Sequence, residues 1–139
     1  MSSLSARTQT TLDYQSISHP EIGEEFMVST QNRYATEIGY EILKKGGNAV
    51  DAAVAVGFAL AVTLPRAGNL GGGGFILIYE KETQKVSSID YRSAAPVAAK
   101  SEMFISDNKV QRFGHLVNAV PGSVAGLLKA HKDHGSCLL

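Results

Sequence analysis

Hydrophobic and polar positions follow helical and strand periods in turn along the chain, and together they predict an ordered set of elements. The short β-prone run at residues 26–30 predicts a first strand. An apolar helical face over 35–45 predicts a helix that two glycines end. The next helix is predicted from a cap at Asn48 to Pro65, with Asp51 placed to meet free N–H groups. This second helix is apolar on every side, which is typical of a buried helix.

The second half of the chain predicts a β-hairpin and a closing helix. An apolar run at 75–79 and a partly alternating run at 86–91 flank a polar connection, so we expect two antiparallel neighbours. A short helical turn is predicted near 98–104, and a last helix at 121–134 between a proline and a glycine. This order predicts a mixed α/β fold of the α+β type. The second helix is more apolar than so few partners can cover, which indicates that the chain is part of a larger unit.

Composition excludes some classes of function. The 139 residues are 44% hydrophobic and 19% charged, which is typical of a folded domain rather than a disordered chain. Thirteen basic and thirteen acidic residues cancel, so we expect no nucleic acid as a partner. Residues 1–24 are rich in Ser and Thr, lack periodicity and are predicted to be a flexible tail. Residues 25–139 are then the folded part.

The sequence predicts neither a membrane span nor an export signal. The first residues lack the apolar core of a secretory signal peptide, so localisation stays open. The longest apolar segment, 49–64, contains Asp51 and is shorter than the roughly 20 residues that a membrane-spanning helix needs.

Four consecutive glycines, Gly71 to Gly74, need an explanation, because glycine loses more backbone freedom on folding than any other residue. A P-loop would end in Gly-Lys-Ser/Thr and lead into a helix, and a Rossmann turn would follow a strand. In this chain a predicted helix precedes the glycines and a predicted strand follows them, so neither phosphate-binding loop fits. Two interpretations stay open: tightly packed backbone, or the edge of a ligand site.

Other reactive side chains give weak signals. His131 and His134 are spaced as two metal ligands on one helical face, but no third ligand is near in sequence, so no metal or cofactor is expected. Ser123 lacks the first glycine and the preceding strand of a nucleophile elbow. The single cysteine, Cys137, cannot form an internal disulfide and is interpreted as a bystander thiol.

Four segments stand out as motifs: ATEIGYEILKKGGNAVDAAVAVGFALAV, AGNLGGGGFILIY, IDYRSAAP and AVPGSVAGLLKAHKDHG. Their residues and their order resemble the N-terminal part of the large subunit in the gamma-glutamyltransferase family, also called gamma-glutamyltranspeptidases or glutathione hydrolases. The resemblance covers about residues 27–135.

The resemblance implies an N-terminal-nucleophile hydrolase, whose fold is a four-layer α-β-β-α sandwich, and this chain would be a truncated part of it. Family members arise from one precursor that cleaves itself into a large and a small subunit. The new N-terminal threonine of the small subunit attacks the gamma-glutamyl amide of glutathione or a related compound. The glutamyl group then passes to water or to an amino acid or peptide.

The resemblance also implies one substrate-binding residue. Arg92 in IDYRSAAP matches the family arginine that binds the α-carboxylate of the small-molecule gamma-glutamyl substrate. A guanidinium suits this role because its planar fork pairs with both carboxylate oxygens. Without the motif, Arg92 would be interpreted as a solvated or salt-bridged residue at a strand end. Asp90 is expected on the same face, either orienting Arg92 or serving as a plain turn or surface acid.

Two departures from the family pattern affect the expected activity. Ser93 replaces the glutamate that usually follows the arginine, and a hydroxyl cannot make the same charged contacts. The chain ends at Leu139 without a threonine in a processing context, so no catalytic residue is expected in it. We therefore expect the chain alone to be inactive, with the remainder of the large subunit and the small subunit as its missing partners.

Two other functions stay open. One is a non-enzymatic interaction fragment that pairs with a separately encoded remainder through its apolar helix. The other is a relative that processes poly-gamma-glutamate or acts as an acylase, with the same fold and type of nucleophile.

Overall fold

The computed structural model describes residues 22–105 and 114–136, which form three α-helices and one β-hairpin. The helices are α1 (Arg33–Lys44), α2 (Ala49–Thr63) and α3 (Ser123–His134). The strands are β1 (Phe75–Glu80) and β2 (Lys85–Asp90), and short 3₁₀ helices occur at Ser101–Phe104 and His115–Val117. Cys137 and nearly all of the predicted tail lie outside the described residues.

Both helices of the first pair begin at an asparagine cap. The Asn32 side chain accepts hydrogen bonds from the N–H groups of Tyr34 and Ala35 at 3.0 and 3.3 Å, so α1 begins two residues before its predicted start. Asn48 caps α2 in the same way, and Asp51 Oδ2 accepts from the Asn48 N–H at 2.8 Å. This reciprocal capping confirms the predicted start of α2 and the expected role of Asp51.

The predicted first strand at residues 26–30 is wrong, since this segment pairs with no strand among the described residues. Its side chains instead pack against α1. The rings of Phe26 and Tyr40 lie 5.2 Å apart, and a Cβ at Gly39 would come within 2.9 Å of Val28 Cγ1. High β propensity does not produce a strand without a neighbouring strand to complete its hydrogen bonds.

β1 and β2 form the predicted antiparallel hairpin, with Ile76 opposite Ile89. Its polar connection turns at Gln84, whose φ is 54°. Tyr91 lies just past β2 but extends the ladder, because its N–H donates to the Gly74 carbonyl at 3.0 Å and its carbonyl accepts from the Gly74 N–H at 3.4 Å. The strands thus differ from their predicted bounds by one residue at the ends.

The core lies between the inner face of the hairpin, α2 and α3. It consists of the buried side chains of Val50, Val54, Ile78, Ile89, Leu127 and Ala130. Burial of a side chain such as valine, leucine or isoleucine contributes about 1.5–3 kcal/mol, so this cluster holds α3 against the hairpin and α2.

Two apolar surfaces are left uncovered within the described part of the chain. The first, which we call the outer sheet face, consists of Phe75, Leu77, Tyr79 and Val86, each at least 62% exposed. The second lies in the C-terminal half of α2, where Val62 is 80% exposed and residues 57–61 and 63 are half-buried. This incomplete burial agrees with the expectation that so few partners cannot cover α2. Apolar patches of this kind mark contact surfaces.

No helix in residues 22–105 and 114–136 combines the length and hydropathy that crossing a membrane requires.

Candidate functional site

Arg92 lies two residues beyond β2, where the chain leaves the hairpin. Its side chain is exposed, and no carboxylate of the described residues forms a salt bridge with its guanidinium. The interpretation as a structural salt bridge therefore finds no partner in this part of the chain. Residues 22–105 and 114–136 also provide no hydrogen-bond acceptor for its N–H groups, so in this part of the chain the donors of the guanidinium are unused.

The backbone on either side of Arg92 is held by hydrogen bonds. Tyr91 exchanges two with Gly74, as described above. Ala94 and Val120 form an isolated antiparallel bridge, with N···O distances of 3.0 and 2.8 Å. The segment that carries Arg92 is therefore fixed to the glycine run at one end and to the approach to α3 at the other.

Asp90 contacts the backbone of Arg92 rather than its side chain. Asp90 Oδ1 accepts a hydrogen bond from the Arg92 N–H at 2.9 Å. Ser93, which replaces the family glutamate, is half-buried beside it. The structure thus places Asp90 next to Arg92, as expected, but through a main-chain contact that spacing alone could not specify.

Three glycines leave the space that this segment occupies. A Cβ at Gly73 would lie 2.6 Å from the Tyr91 carbonyl oxygen, and one at Gly122 would overlap the same oxygen. A Cβ at Gly126 would overlap the Cβ and Cγ atoms of Tyr91. None of the three glycines has a positive φ, so close approach rather than backbone freedom explains them. Of the two interpretations of the glycine run, tight packing describes Gly73, and the segment packed against it is the one that carries Arg92.

The start of α3 is also bonded to the glycine run. The Gly72 carbonyl accepts hydrogen bonds from the N–H groups of Gly122 and Ser123 at 2.9 and 3.1 Å. Helix α3 begins at Ser123, two residues after the predicted start at residue 121. Ser123 is buried at this junction. Three of the four sequence motifs therefore meet around Tyr91 and Arg92.

The two histidines of α3 contact different partners instead of sharing a ligand. His131 Nε2 lies 3.2 Å from Asp51 Oδ1, and His134 Nδ1 lies 2.9 Å from Glu80 Oε1. A hydrogen bond from the Thr83 hydroxyl, followed by the one with His134, lowers the pKa of the Glu80 carboxyl from its ordinary value. Within the described ranges, no three His, Cys, Asp or Glu side chains are grouped to hold a metal ion. These pairs join α3 to the start of α2 and the end of β1.

An open cavity of about 430 Å³ lies at the other end of the hairpin, where Asn48, Glu80 and His134 contribute to its lining. β1 runs between this cavity and Arg92, and six strand residues span about 17 Å. The cavity is therefore separate from the Arg92 segment.

Sequence reasoning missed Tyr91 as the residue around which the motifs pack. One signal was present, because Gly122 and Gly126 are four residues apart, the spacing of a single helical face. What that face contacts could not be read from the spacing.

Comparison with known proteins decides the family. The family model described as gamma-glutamyltranspeptidase matches residues 35–139. The chain belongs to this family. It is 48% identical over 123 residues to the glutathione hydrolase proenzyme of Escherichia coli (strain K12), a match that covers 85% of this chain and 21% of the relative. The chain thus spans about a fifth of the length of the curated relatives it matches, two Bacillus subtilis proenzymes included.

Solved structures agree with this assignment. The gamma-glutamyltranspeptidase of Helicobacter pylori matches with a TM-score of 0.79 at 39% identity, over 86% of this chain and 35% of that chain. The Bacillus anthracis transpeptidase CapD matches with a TM-score of 0.65 at 34% identity, over 84% of this chain and 34% of that chain. The resemblance seen in the four motifs is confirmed, and so is the predicted fold class, part of the N-terminal-nucleophile hydrolase fold.

Proposed function

We propose that this chain supplies the substrate-carboxylate clamp of an enzyme that cleaves gamma-glutamyl amides, such as that of glutathione. The glutamyl group would pass to water or to an amino acid or peptide. The observation that carries the proposal is Arg92, whose guanidinium is exposed and has no salt-bridge partner among the described residues, on a backbone segment held from both sides. Membership of the gamma-glutamyltranspeptidase family supports the class of reaction.

The chemistry of the substrate explains why an arginine is needed. A gamma-linked glutamate differs from an ordinary peptide residue in carrying a free α-carboxylate and a free α-amine beside the scissile side-chain amide. A guanidinium binds such a carboxylate through two parallel hydrogen bonds, which fix its orientation as well as its charge. Because the backbone on either side of Arg92 is hydrogen-bonded, substrate binding has to order its side chain but not the segment that carries it.

Bond cleavage requires groups that this chain is not proposed to supply. Acyl transfer needs a nucleophile with its base and donors for the oxyanion. Ser123 is buried against the glycine run, and His131 and His134 are paired with carboxylates. We therefore assign the nucleophile to the N-terminal threonine of the small subunit, as the resemblance implies, and propose that the chain alone is inactive.

Amide hydrolysis in a chimera tests this proposal. Residues 27–135 of this chain replace the matching segment of the E. coli glutathione hydrolase proenzyme, and gamma-glutamyl-p-nitroanilide is the substrate. We expect turnover by the chimera and none by the purified 139-residue chain. Arg92→Ala should lower kcat/KM by about 10- to 150-fold, the equivalent of one charged hydrogen-bonding contact. Arg92→Lys should have a kcat/KM between those of the unsubstituted chimera and Arg92→Ala. Turnover by the chain alone, or a chimera indifferent to Arg92→Ala, contradicts the proposal.

A second candidate function is an interaction fragment, which the outer sheet face favours because this apolar surface is uncovered. On this hypothesis the chain pairs with a separately encoded remainder of the large subunit and the small subunit. The chain is mixed with this remainder, and light scattering after size exclusion measures the molar mass. The mass distinguishes the free chain from its complex with the remainder. A folded monomer that does not change its mass when the remainder is added would exclude this candidate.

A poly-gamma-glutamate-processing enzyme or an acylase is less well supported. Identity is 39% to the gamma-glutamyltranspeptidase of Helicobacter pylori and 26% to the cephalosporin acylase of Bacillus halodurans. We therefore place the free α-carboxylate substrate first.

A further inference from the structure

We propose that Asp90 is a positioning residue for Arg92, and that it acts through the hydrogen bond from the Arg92 backbone N–H to its carboxylate. This inference rests on the proposed function, because it concerns the same carboxylate clamp, and it adds a residue that does not itself touch the substrate. Asp90 would set the direction in which the guanidinium leaves the backbone.

The location of the hydrogen bond supports this role. β2 ends at Asp90, and the backbone pairing with Gly74 ends at Tyr91. The next main-chain pairing begins at Ala94. Arg92 therefore lies between two backbone pairings and belongs to neither. At this position the Asp90 carboxylate accepts a hydrogen bond from the Arg92 N–H at 2.9 Å. Rotation of this peptide unit would swing the whole Arg92 side chain.

The residue type fits the contact. Aspartate and asparagine side chains bond the backbone two residues further along, which stabilises a turn at a strand end. Asp90 is exposed and lies opposite Phe75 in the register of the hairpin, outside the buried core. Its replacement is therefore expected to change the direction of the Arg92 side chain without removing core packing.

Two physical effects of Asp90 must be separated. The first is the hydrogen bond to the backbone, and the second is the attraction of its negative charge for the guanidinium. Asparagine keeps an oxygen acceptor at the same place but carries no charge. Asp90→Asn should therefore preserve the positioning effect, whereas Asp90→Ala should remove it.

The kinetic test uses the chimera with gamma-glutamyl-p-nitroanilide. We expect Asp90→Ala to raise KM about fivefold, the size of a typical net hydrogen-bond contribution, with kcat nearly unchanged. KM rather than kcat should change because the clamp holds the carboxylate equally in the ground state and the transition state. Asp90→Asn should leave KM close to that of the unsubstituted chimera. Ser88→Ala, two residues earlier on the exposed side of β2, is the matched control and should change neither constant.

Each outcome has a distinct meaning. Equal KM increases in Asp90→Asn and Asp90→Ala would overturn positioning in favour of charge, and an unchanged KM in Asp90→Ala would exclude any role. A fall in kcat without a change in KM would also contradict the inference. Arg92→Ala in the same chimera separates the two proposals. If Arg92→Ala does not lower kcat/KM, the proposed function is overturned. If Arg92→Ala lowers kcat/KM but Asp90→Ala leaves KM unchanged, only this inference is overturned.

Hydrogen exchange of the Arg92 amide gives a second readout that does not depend on turnover. In the 139-residue chain, Asp90→Ala should speed this exchange and Asp90→Asn should not. Equal exchange rates in all three forms would overturn the inference.

Discussion

The close packing of α3 against Tyr91 predicts that Gly126→Ala destabilises the protein. Gly126 lies inside α3, where alanine usually stabilises a helix by about 1 kcal/mol relative to glycine. A Cβ at this position would nevertheless overlap the Cβ and Cγ atoms of Tyr91. These atoms cannot move aside on their own, because the Tyr91 backbone is hydrogen-bonded to Gly74.

The size of the effect follows from two opposing contributions. Overpacking a core contact costs about 1–3 kcal/mol, and an overlap with atoms at the root of a side chain belongs at the upper end. Subtracting the helix gain of about 1 kcal/mol, we expect Gly126→Ala to lower the free energy of unfolding by about 2 kcal/mol.

Gly57→Ala is the matched control. Gly57 is also an interior helical glycine, so it gains the same helix propensity. Its new Cβ would lie 2.9 Å from the two Cδ atoms of Leu127, which are the far end of a flexible side chain. A small rotation of Leu127 relieves this contact, and we expect the stability to stay within about 1 kcal/mol of the unsubstituted chain.

Urea unfolding followed by circular dichroism measures both variants against the unsubstituted chain. Gly126→Ala is expected to be clearly less stable than Gly57→Ala. If Gly126→Ala unfolds at the same urea concentration as Gly57→Ala, or at a higher one, the close packing of α3 against Tyr91 is refuted.

Two further predictions concern the side-chain contacts that α3 makes with α2 and β1, and they use the same unfolding assay. Asn48→Ala should lower the free energy of unfolding by about 2 kcal/mol and Asn32→Ala by about 1 kcal/mol. Both variants lose a helix cap, but Asn48 also donates a hydrogen bond to the His134 carbonyl at 2.7 Å. Equal losses in the two variants would contradict this prediction. The lowered pKa of Glu80 means that its contribution to stability is complete above its ordinary value of 4.5 and is lost as the pH falls through the folded-state value. The urea midpoint should therefore fall in acid, and less so in Thr83→Ala, which removes the main cause of the lowered pKa; an identical pH profile in Thr83→Ala would contradict this.

The helices and the hairpin could be predicted because their signals are local. Asn48 and Asp51 cap α2 through contacts within one helical turn, and the apolar runs on either side of a polar turn specify β1 and β2. The false strand at 26–30 shows the limit of this reasoning. Strand propensity belongs to the segment, but a strand also needs a partner, and among the described residues this segment packs against α1 instead.

The candidate site depended on information that local patterns do not contain. Arg92 was found through a motif that resembles the family, whereas the periodicity of its neighbours indicated only a strand end. The packing of Gly73 and Gly126 around Tyr91, and the His131–Asp51 pair, join residues that are far apart in the chain. Such contacts depend on how the helices and strands pack, so they could not be predicted from the types of the residues that form them.

The central claim is that Arg92 binds the α-carboxylate of a gamma-glutamyl substrate. Its most direct test compares gamma-glutamyl-p-nitroanilide with 4-aminobutyryl-p-nitroanilide, which keeps the amine but lacks the carboxylate, in the chimera with and without Arg92→Ala. We predict that Arg92→Ala lowers kcat/KM about 10- to 150-fold for the first substrate and leaves it nearly unchanged for the second, so that discrimination between them is lost. An equal loss for both substrates would contradict the claim.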